Sequence, residues 1–210
     1  MIITHHLDDA TLMSFAAGAL PAALSAVAAA HADLCPRCRH EVAALERVGG
    51  ALMAGLAPTE IGAPRRPVPA AAHELRQPVT SSPDGEIPRP VAGLVSGGLG
   101  AVRWRWLGPG VWDHGLPLAG AGKLRLLRVA PGRNVPEHGH GGSELTLVLR
   151  GSFHDATGRY LRGDVAELDE TVAHQPVTDE TGDCICLVAS EKPEQFSGRV
   201  ARHWQRLRGI

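Results

Sequence analysis

The chain has 210 residues, a formal net charge of −1 and a hydrophobic content of 44%. These values allow a packed core in one large or two small domains, and they argue against a basic surface for nucleic acid. No run of about 18 apolar residues is present to cross a membrane, and acidic residues occupy the positions where a signal peptide is basic. We therefore expect a cytoplasmic protein that contacts neither nucleic acid nor a membrane.

The amino-terminal segment, residues 1–57, has the pattern of a small helical bundle. An aspartate at position 8 or 9 can cap a first helix, and Gly18 can end it. Pro21 and Pro36 suit the first turns of a second and a third helix, and apolar residues recur in both at spacings of three and four.

The rest of the chain divides into a proline-rich segment and a β-rich segment. Eight of the 16 prolines lie between residues 57 and 90, which predicts an extended linker over residues 58–90. Over residues 91–205, short runs rich in Val, Leu and Ile alternate with turns of Gly, Pro and Asp, which favours an antiparallel β-barrel or jelly roll. The predicted fold class is α + β, with a helical domain followed by a β-barrel domain.

The stretch HADLCPRC, residues 31–38, holds two of the four cysteines of the chain. His31 and Cys35 are four residues apart and share one face of a helix, while Cys35 and Cys38 form a Cys-x-x-Cys knuckle that can hold one ion. A reducing cytoplasm makes a structural disulfide a poor explanation. Two buried thiols without a metal are the plain alternative, and a thioredoxin-like redox pair is disfavoured because no strand leads into the motif.

Tetrahedral zinc requires a fourth ligand, which this stretch does not supply. The amino-terminal THHLDD offers His5 and His6, and Cys184 and Cys186 are a distant alternative. These last two cysteines are two residues apart on an apparent strand. That placement favours two core thiols, and a redox-sensing pair is the other interpretation.

An amino-terminal histidine followed by the His-x-x-x-Cys-x-x-Cys pattern resembles the zinc-binding anti-sigma domain, and the segment HHLDDATLMSFAAGALP is similar to the opening of that family. The resemblance covers about residues 4–55. It implies a domain that binds an ECF-type (extracytoplasmic function) sigma factor and keeps it from core RNA polymerase. The family spacing prefers His6 to His5 as the fourth ligand. The implied zinc ligands are His6, His31, Cys35 and Cys38.

A second cluster of metal-ligand residue types lies in GRNVPEHGHGGSELTLVLRG, residues 132–151. His138 and His140 are two residues apart, so on a strand both point to one side, and Glu144 follows four residues later. With a glycine at each end, the segment matches the first cupin motif, Gly-x5-His-x-His-x3-Glu-x6-Gly, at every specified position. The resemblance implies a cupin fold in which these three residues hold a metal.

His174 is the candidate for the remaining ligand, on a returning strand. The surrounding ETVAHQPVT lacks the Pro-x-Gly before the histidine and the Asn after it that the second cupin motif has. Three imidazoles and one carboxylate suit Zn, Fe, Mn, Ni or Cu, so the sequence predicts one divalent metal without choosing it. A cupin that keeps these residues without binding a metal is the alternative, although the cluster would be costly to bury without an ion.

A zinc anti-sigma domain, a proline-rich segment and a cupin together resemble the ChrR-type anti-sigma factors over nearly the whole chain. The resemblance implies a regulator and not an enzyme, with one repressing and one sensing module. It also implies release of the sigma factor under reactive oxygen, including singlet oxygen. A metal with an open position at the cupin could instead bind a small-molecule signal. The competing hypothesis is a dioxygenase-like cupin metalloenzyme whose helical domain mediates dimerisation; it requires turnover, whereas the regulator requires stoichiometric binding.

Overall fold

The computed structural model describes residues 2–58 and 85–192, together with the backbone of residues 195–196. Most of the predicted linker, residues 58–90, lies outside the described residues, as does the predicted end of the β-domain near residue 205. Within the described parts of the chain, no helix is long and apolar enough to cross a membrane.

Three helices open the chain, with the bounds α1 (Asp9–Ala16), α2 (Ala22–Leu34) and α3 (Pro36–Ala54). The Asp8 side chain caps α1 by accepting a hydrogen bond of 2.6 Å from the Thr11 amide. Pro36 occupies the first turn of α3, where a missing N–H needs no partner. The three helices predicted from the sequence are therefore confirmed.

Strands follow a short helical turn, α4 (Arg89–Ala92), and a 3-10 turn at Leu99–Ala101. The strands in the described residues are β1 (Arg105–Gly108), β2 (Val111–Leu116), β3 (Lys123–Val129), β4 (His138–Gly139), β5 (Glu144–Arg150), β6 (Ser152–Asp155), β7 (Gly158–Leu161), β8 (Val165–Leu168), β9 (Val177–Thr178), β10 (Cys184–Ser190) and β11 (Gln195–Phe196). In the described residues the first regular strand begins at Arg105, after α4, where a proline in the first turn favours a helical start.

All strand pairs among the described residues are antiparallel. The main sheet has the order β1-β2-β3-β10-β5-β8, and two smaller sheets have the orders β7-β6-β9 and β11-β4. The predicted α + β fold, with helices first and an antiparallel β-domain after them, is confirmed.

The central strands of the main sheet are buried on both faces. Along β10, Ile185 and Leu187 belong to a core that also contains the helices, whereas Cys184 and Cys186 belong to a second core within the β-domain. Successive side chains of a strand point to opposite faces, so a strand between two cores needs apolar residues throughout. This is why ICLVA in β10 reads as a continuous apolar run and why four of the five residues 145–149 in β5 are leucine or valine.

Helix α2 packs on one face of the main sheet, against β5 and β10. Val27 and Ala28 of α2 are fully buried and share one core with Leu147 and Leu187 of the sheet. The helical domain and the β-domain are therefore joined by continuous apolar packing.

Polar contacts line the edges of this interface. Glu167 on β8 accepts hydrogen bonds from the Asp8 amide, at 3.0 Å, and from the Thr11 hydroxyl. Arg89 of α4 donates to the Asp33 carboxylate of α2 from Nε, at 2.9 Å, and from its backbone amide, at 3.1 Å. These bonds join the start of α1 to β8 and the end of α2 to α4.

Candidate metal centres

The first cluster of candidate ligands lies where the amino-terminal segment meets the junction of α2 and α3. His6 precedes α1, His31 is in the last turn of α2, and Cys35 and Cys38 lie at the start of α3. His31 Nε2 lies 3.3 Å from Cys38 Sγ, and His6 Nδ1 lies 3.3 Å from Cys35 Sγ. The four ligand atoms all lie within 4.8 Å of one another.

Burial sets the protonation of this cluster. It lowers the pKa of His31 to about 4, so the imidazole is neutral near pH 7. It raises the pKa of the Cys38 thiol to about 11. A neutral imidazole has a lone pair for a metal, whereas a buried thiolate is stable only beside a cation. Two nitrogens and two sulfurs at these distances fit the tetrahedral donor set of zinc.

The second ring nitrogen of His31 is held by the β-domain. Nδ1 lies 3.0 Å from the carbonyl oxygen of Gly163, in the turn between β7 and β8. Nδ1–H therefore donates to this carbonyl, and Nε2 is left to face the thiols. The turn thus sets which nitrogen of His31 is available to a metal.

The two adjacent histidines at the amino terminus point to different places. His6 joins the thiols, while the His5 ring packs on the Tyr160 ring with centroids 4.3 Å apart, and His5 Nδ1 lies 3.6 Å from Asp164 Oδ2. His6 is therefore the histidine that this geometry brings to the cluster, and zinc binding by the four residues stays a prediction.

The distant cysteines are not brought to this cluster. Cys184 and Cys186 are buried on β10, and their sulfur atoms lie 3.7 Å apart within the core of the β-domain. Burial and the neighbouring thiol raise the pKa of Cys186, with the hydrogen bond to Cys184 the larger cause. Their assignment as core thiols fits this placement, and a redox role stays a prediction.

The second cluster is assembled from β4, the start of β5 and the segment before β9. His138 and His174 exchange two backbone hydrogen bonds, of 3.1 and 3.0 Å. This antiparallel bridge brings their side chains to one side, although the sequence around His174 departs from the cupin motif. His140 Nδ1 lies 3.4 Å from Glu144 Oε2, and all four residues are buried with ligand atoms within 4.8 Å of one another.

Outer hydrogen bonds orient two of these imidazoles. His138 Nδ1 lies 2.9 Å from the Pro136 carbonyl oxygen, and His174 Nδ1 lies 2.7 Å from Asp155 Oδ2. In each case Nδ1–H donates, so Nε2 carries the lone pair. The two Nε2 atoms face each other at 3.3 Å, which is a separation that suits ligands of a shared ion.

The charge of the carboxylate also favours a cation. Burial alone would raise the pKa of Glu144, but His140 and the positive charge of Arg125 hold it below the usual value. Glu144 Oε2 is buried and receives no hydrogen bond from the described residues. Three imidazole nitrogens and one ionised oxygen fit a divalent transition metal, whose identity this donor set leaves open.

Sequence reasoning missed the residues that support the ligands. Asp155 accepts a hydrogen bond from His174, 19 positions away in the sequence. Gly163 accepts one from His31, 132 positions away. Neither residue carries a local signal beyond that of a turn, and their partners are set only by tertiary packing. Gly151, which closes the first cupin motif, adopts a φ of +72° between β5 and β6, a conformation that favours glycine.

Three comparisons with known proteins bear on identity. The family profile described as "ChrR Cupin-like domain" matches residues 96–193. The chain is 42% identical over 200 residues to the anti-sigma-E factor ChrR of Cereibacter sphaeroides, covering 94% of each chain. The crystal structure of Rhodobacter sphaeroides SigE in complex with the anti-sigma ChrR matches with a TM-score of 0.77 and 41% identity, covering 90% of this chain and 99% of that chain.

A more distant match is an RmlC-like cupin protein from Ralstonia eutropha JMP134, with 17% identity and a TM-score of 0.41, covering 51% of this chain and 84% of that chain. The 42% identity to ChrR, over an alignment that covers 94% of the chain, decides the classification. The chain belongs to the ChrR family of anti-sigma factors.

Proposed function

We propose that this chain binds an ECF-type sigma factor through its helical domain and so keeps the sigma factor from core RNA polymerase. The observation that carries the proposal is the cluster of two histidines and two cysteines in the helical domain of a chain that is 42% identical to an anti-sigma factor. The identity spans both domains, and it favours this regulatory role over a cupin metalloenzyme. Because polymerase works in the cytoplasm, we place the protein there.

We assign zinc to the first cluster. Zinc bound there would join the amino-terminal segment, through His6, to the α2–α3 junction. A domain of roughly 50 residues has little core of its own, so these four side chains would be a main restraint on its shape.

We assign the exposed end of α3 as the surface for the sigma factor. Val48, Leu52, Met53 and Leu56 expose between 58% and 73% of their surface. Val48 and Leu52 are one turn apart on the helix, so they lie on the same face. The apolar face of α2 is covered by the main sheet, whereas this end of α3 is uncovered by the described residues and is an apolar patch of the kind that binds partner helices.

We assign one divalent metal to the second cluster and propose that it controls release. A transition metal there would provide a centre whose occupancy or oxidation can respond to reactive oxygen, including singlet oxygen, or to a small molecule. The β-domain must favour one arrangement of the protein before the signal and another after it, because a signal shifts only equilibria that it distinguishes.

The test uses the sigma factor that co-purifies with the full chain from native cells. Replacing Leu52 and Met53 with Asp should weaken binding by tenfold or more, about 1.4 kcal/mol, because a charge is placed in an apolar contact. Trp106→Asp makes the same change at an exposed apolar residue of the β-domain and should alter binding less than twofold. A parent chain that retains no sigma factor would refute the function, and unchanged binding by the α3 variant would refute the surface.

A further inference from the structure

A chain of hydrogen bonds leads from the second cluster into the hairpin of β6 and β7. His174 Nδ1–H donates to Asp155 Oδ2 at 2.7 Å. The other carboxylate oxygen of Asp155 accepts from the Thr157 amide, at 2.8 Å, and from the Thr157 hydroxyl, at 2.5 Å. The Thr157 and Tyr160 hydroxyl oxygens lie 2.9 Å apart.

The direction of this chain follows from counting protons. The Thr157 hydroxyl has one proton, which goes to Asp155, so Thr157 Oγ1 accepts from Tyr160 OH. Both hydroxyls therefore point toward the carboxylate that orients His174. Hydrogen bonds aligned in this way polarise one another, so a change at one end alters the others.

The far end of the hairpin reaches the first cluster. The Tyr160 ring is buried between the Phe153 ring, at a centroid distance of 4.8 Å, and the His5 ring, at 4.3 Å. The fit beside it is close, because a Cβ on Gly158 would lie 3.0 Å from His5 Nε2. His5 directly precedes the candidate ligand His6, so the position of Tyr160 limits where His6 can be.

The turn after β7 makes a second contact with the same segment. Asp164 Oδ1 accepts from the amides of Thr4, at 2.7 Å, and His5, at 3.0 Å, while Oδ2 accepts from the Leu161 amide at 2.9 Å. Leu161 follows Tyr160 along the strand. Strand β7 and its turn are therefore bonded to the residues just before His6.

We propose that the β6–β7 hairpin couples the two candidate metal centres, with Thr157 and Tyr160 as its positioning residues. With a metal at Nε2 of His174, Nδ1–H becomes a stronger donor to Asp155 and holds Thr157 and Tyr160 in place. When this ligation changes, the hydrogen bonds along the chain weaken. Thr157 then holds the Tyr160 hydroxyl less firmly, and the ring surface on which His5 packs can move. The affinity of the first cluster for its metal then falls, and the coupling is reciprocal because both sites share one free-energy cycle.

This inference rests on the metal assignments of the proposed function but not on sigma-factor binding, so its test needs no sigma factor. Cobalt(II) bound by two thiolates gives a sulfur-to-metal charge-transfer band, which a site of nitrogen and oxygen ligands lacks. The band reports the affinity of the first cluster in the full chain when cobalt(II) is titrated against a competing chelator. The second cluster is emptied by replacing His140 and Glu144 with Ala, which leaves His174 and Asp155 in place.

Emptying the second cluster in the parent should lower the cobalt(II) affinity of the first cluster by about 5- to 150-fold, the usual range of coupling between sites. In Tyr160→Phe and in Thr157→Val, the same emptying should change that affinity less than twofold, because the link is already broken. Thr157→Ser retains the hydroxyl and should keep the parent's dependence.

Thr171→Val is the matched control. Thr171 donates to Asp169 from its amide, at 2.8 Å, and its hydroxyl, at 2.6 Å, in the same local pattern as Thr157 and Asp155. It should keep the full coupling. The proposal would be overturned if emptying the second cluster left the cobalt(II) affinity of the first cluster unchanged in the parent, or lowered it as much in Tyr160→Phe as in the parent. Neither result would bear on sigma-factor binding.

Discussion

His31 of the helical domain is oriented by Gly163 of the β-domain, whose carbonyl oxygen lies 3.0 Å from Nδ1. The donor nitrogen that a metal would use is therefore chosen by a residue of the other domain. The neighbouring Asp164 adds bonds to the amides of Thr4 and His5. In this structure the β-domain therefore contributes directly to the geometry of the first cluster.

The first prediction concerns the metal of the helical domain. Replacing both Cys35 and Cys38 with Ser should lower the metal content by one ion per chain, because two of four donors are lost. Metal content is measured by atomic emission after dialysis. Replacing Cys184 and Cys186 with Ser is the matched control and should leave the content unchanged, since those thiols lie on β10. Full metal content in the Cys35 and Cys38 variant would contradict the ligand assignment.

The second prediction concerns Asp164, whose side chain is fully buried. Asp164→Ala removes the acceptor of three backbone amides and should lower the free energy of unfolding by about 2–4 kcal/mol. Asp183→Ala breaks a partly exposed pair with Arg128 and should cost less than about 1 kcal/mol. Urea titrations of the metal-loaded proteins give both values, and equal losses in the two variants would contradict the assigned role of Asp164.

The third prediction is a dependence of stability on pH. Burial alone would raise the pKa of Asp164, but the amides of His5, Leu161 and Thr4 hold it below its usual value. The unfolded chain takes up this proton near pH 4, before the native chain does. The stabilisation from Asp164 is therefore complete above about pH 5 and is lost as the pH falls through the lowered native pKa.

Asp164→Asn removes this titration. The variant should lose less stability than the parent between about pH 5 and pH 3, because its amide side chain does not change charge. Denaturant titrations at a series of pH values give the free energy of unfolding of each protein as a function of pH. Subtracting one slope from the other removes the contribution of the carboxylates that both proteins share. Equal slopes would show that Asp164 does not titrate in this way.

The fourth prediction concerns the tight turn after β5. A Cβ on Gly151 would lie 2.6 Å from the Asp183 carbonyl oxygen, and its φ of +72° disfavours other residues. Gly151→Ala should therefore cost about 2 kcal/mol or more. Gly49→Ala, in α3 with no atom within 4 Å of the added methyl, should stabilise the protein by about 0.5–1 kcal/mol. Thermal unfolding midpoints should thus move in opposite directions; a fall in both would disprove the local explanation.

The fifth prediction separates signalling from repression. Replacing His138 and Glu144 with Ala removes two ligands of the second cluster. With zinc in excess, so that the first cluster stays loaded, sigma-factor affinity should remain within about threefold, because the proposed surface is on α3. Induction of sigma-dependent transcription by singlet oxygen should fail. Reporter transcription before and after exposure tests both statements. Normal induction would reject the sensory role. Derepression without stress, in a variant whose first cluster keeps its metal, would place the β-domain in the binding surface.

The sequence predicted the local structure well where the determinants are local. Asp8 caps α1 and Pro36 starts α3 as the capping rules require. Helix and strand periods indicated part of each cluster, as for His138 and His140, whereas the full ligand sets were implied by the family resemblances. The apolar runs of β5 and β10 were recognised as strands, although the sequence did not show that each lies between two cores.

The docking of the domains could not be predicted from the sequence. Val27 and Ala28 belong to an apolar stripe of α2 that could pack equally well against the other helices of a small bundle. The sequence of α2 does not show that this stripe packs on the main sheet. The proline-rich segment suggested separate modules, yet the described residues share a core. The residues alone likewise left His5 and His6 open, and only the family spacing preferred His6. In the structure His5 contacts Tyr160 and Asp164, which are more than 150 positions away.

The placement of β10 has a consequence for the order of folding during synthesis. This strand lies between β3 and β5 in the main sheet, but its residues, Cys184–Ser190, are made long after those of α2. The sheet surface for α2 is therefore incomplete while most of the chain is already outside the ribosome. The nascent helical domain must keep its α2 face uncovered, or protected by a chaperone, until the centre of the sheet is filled.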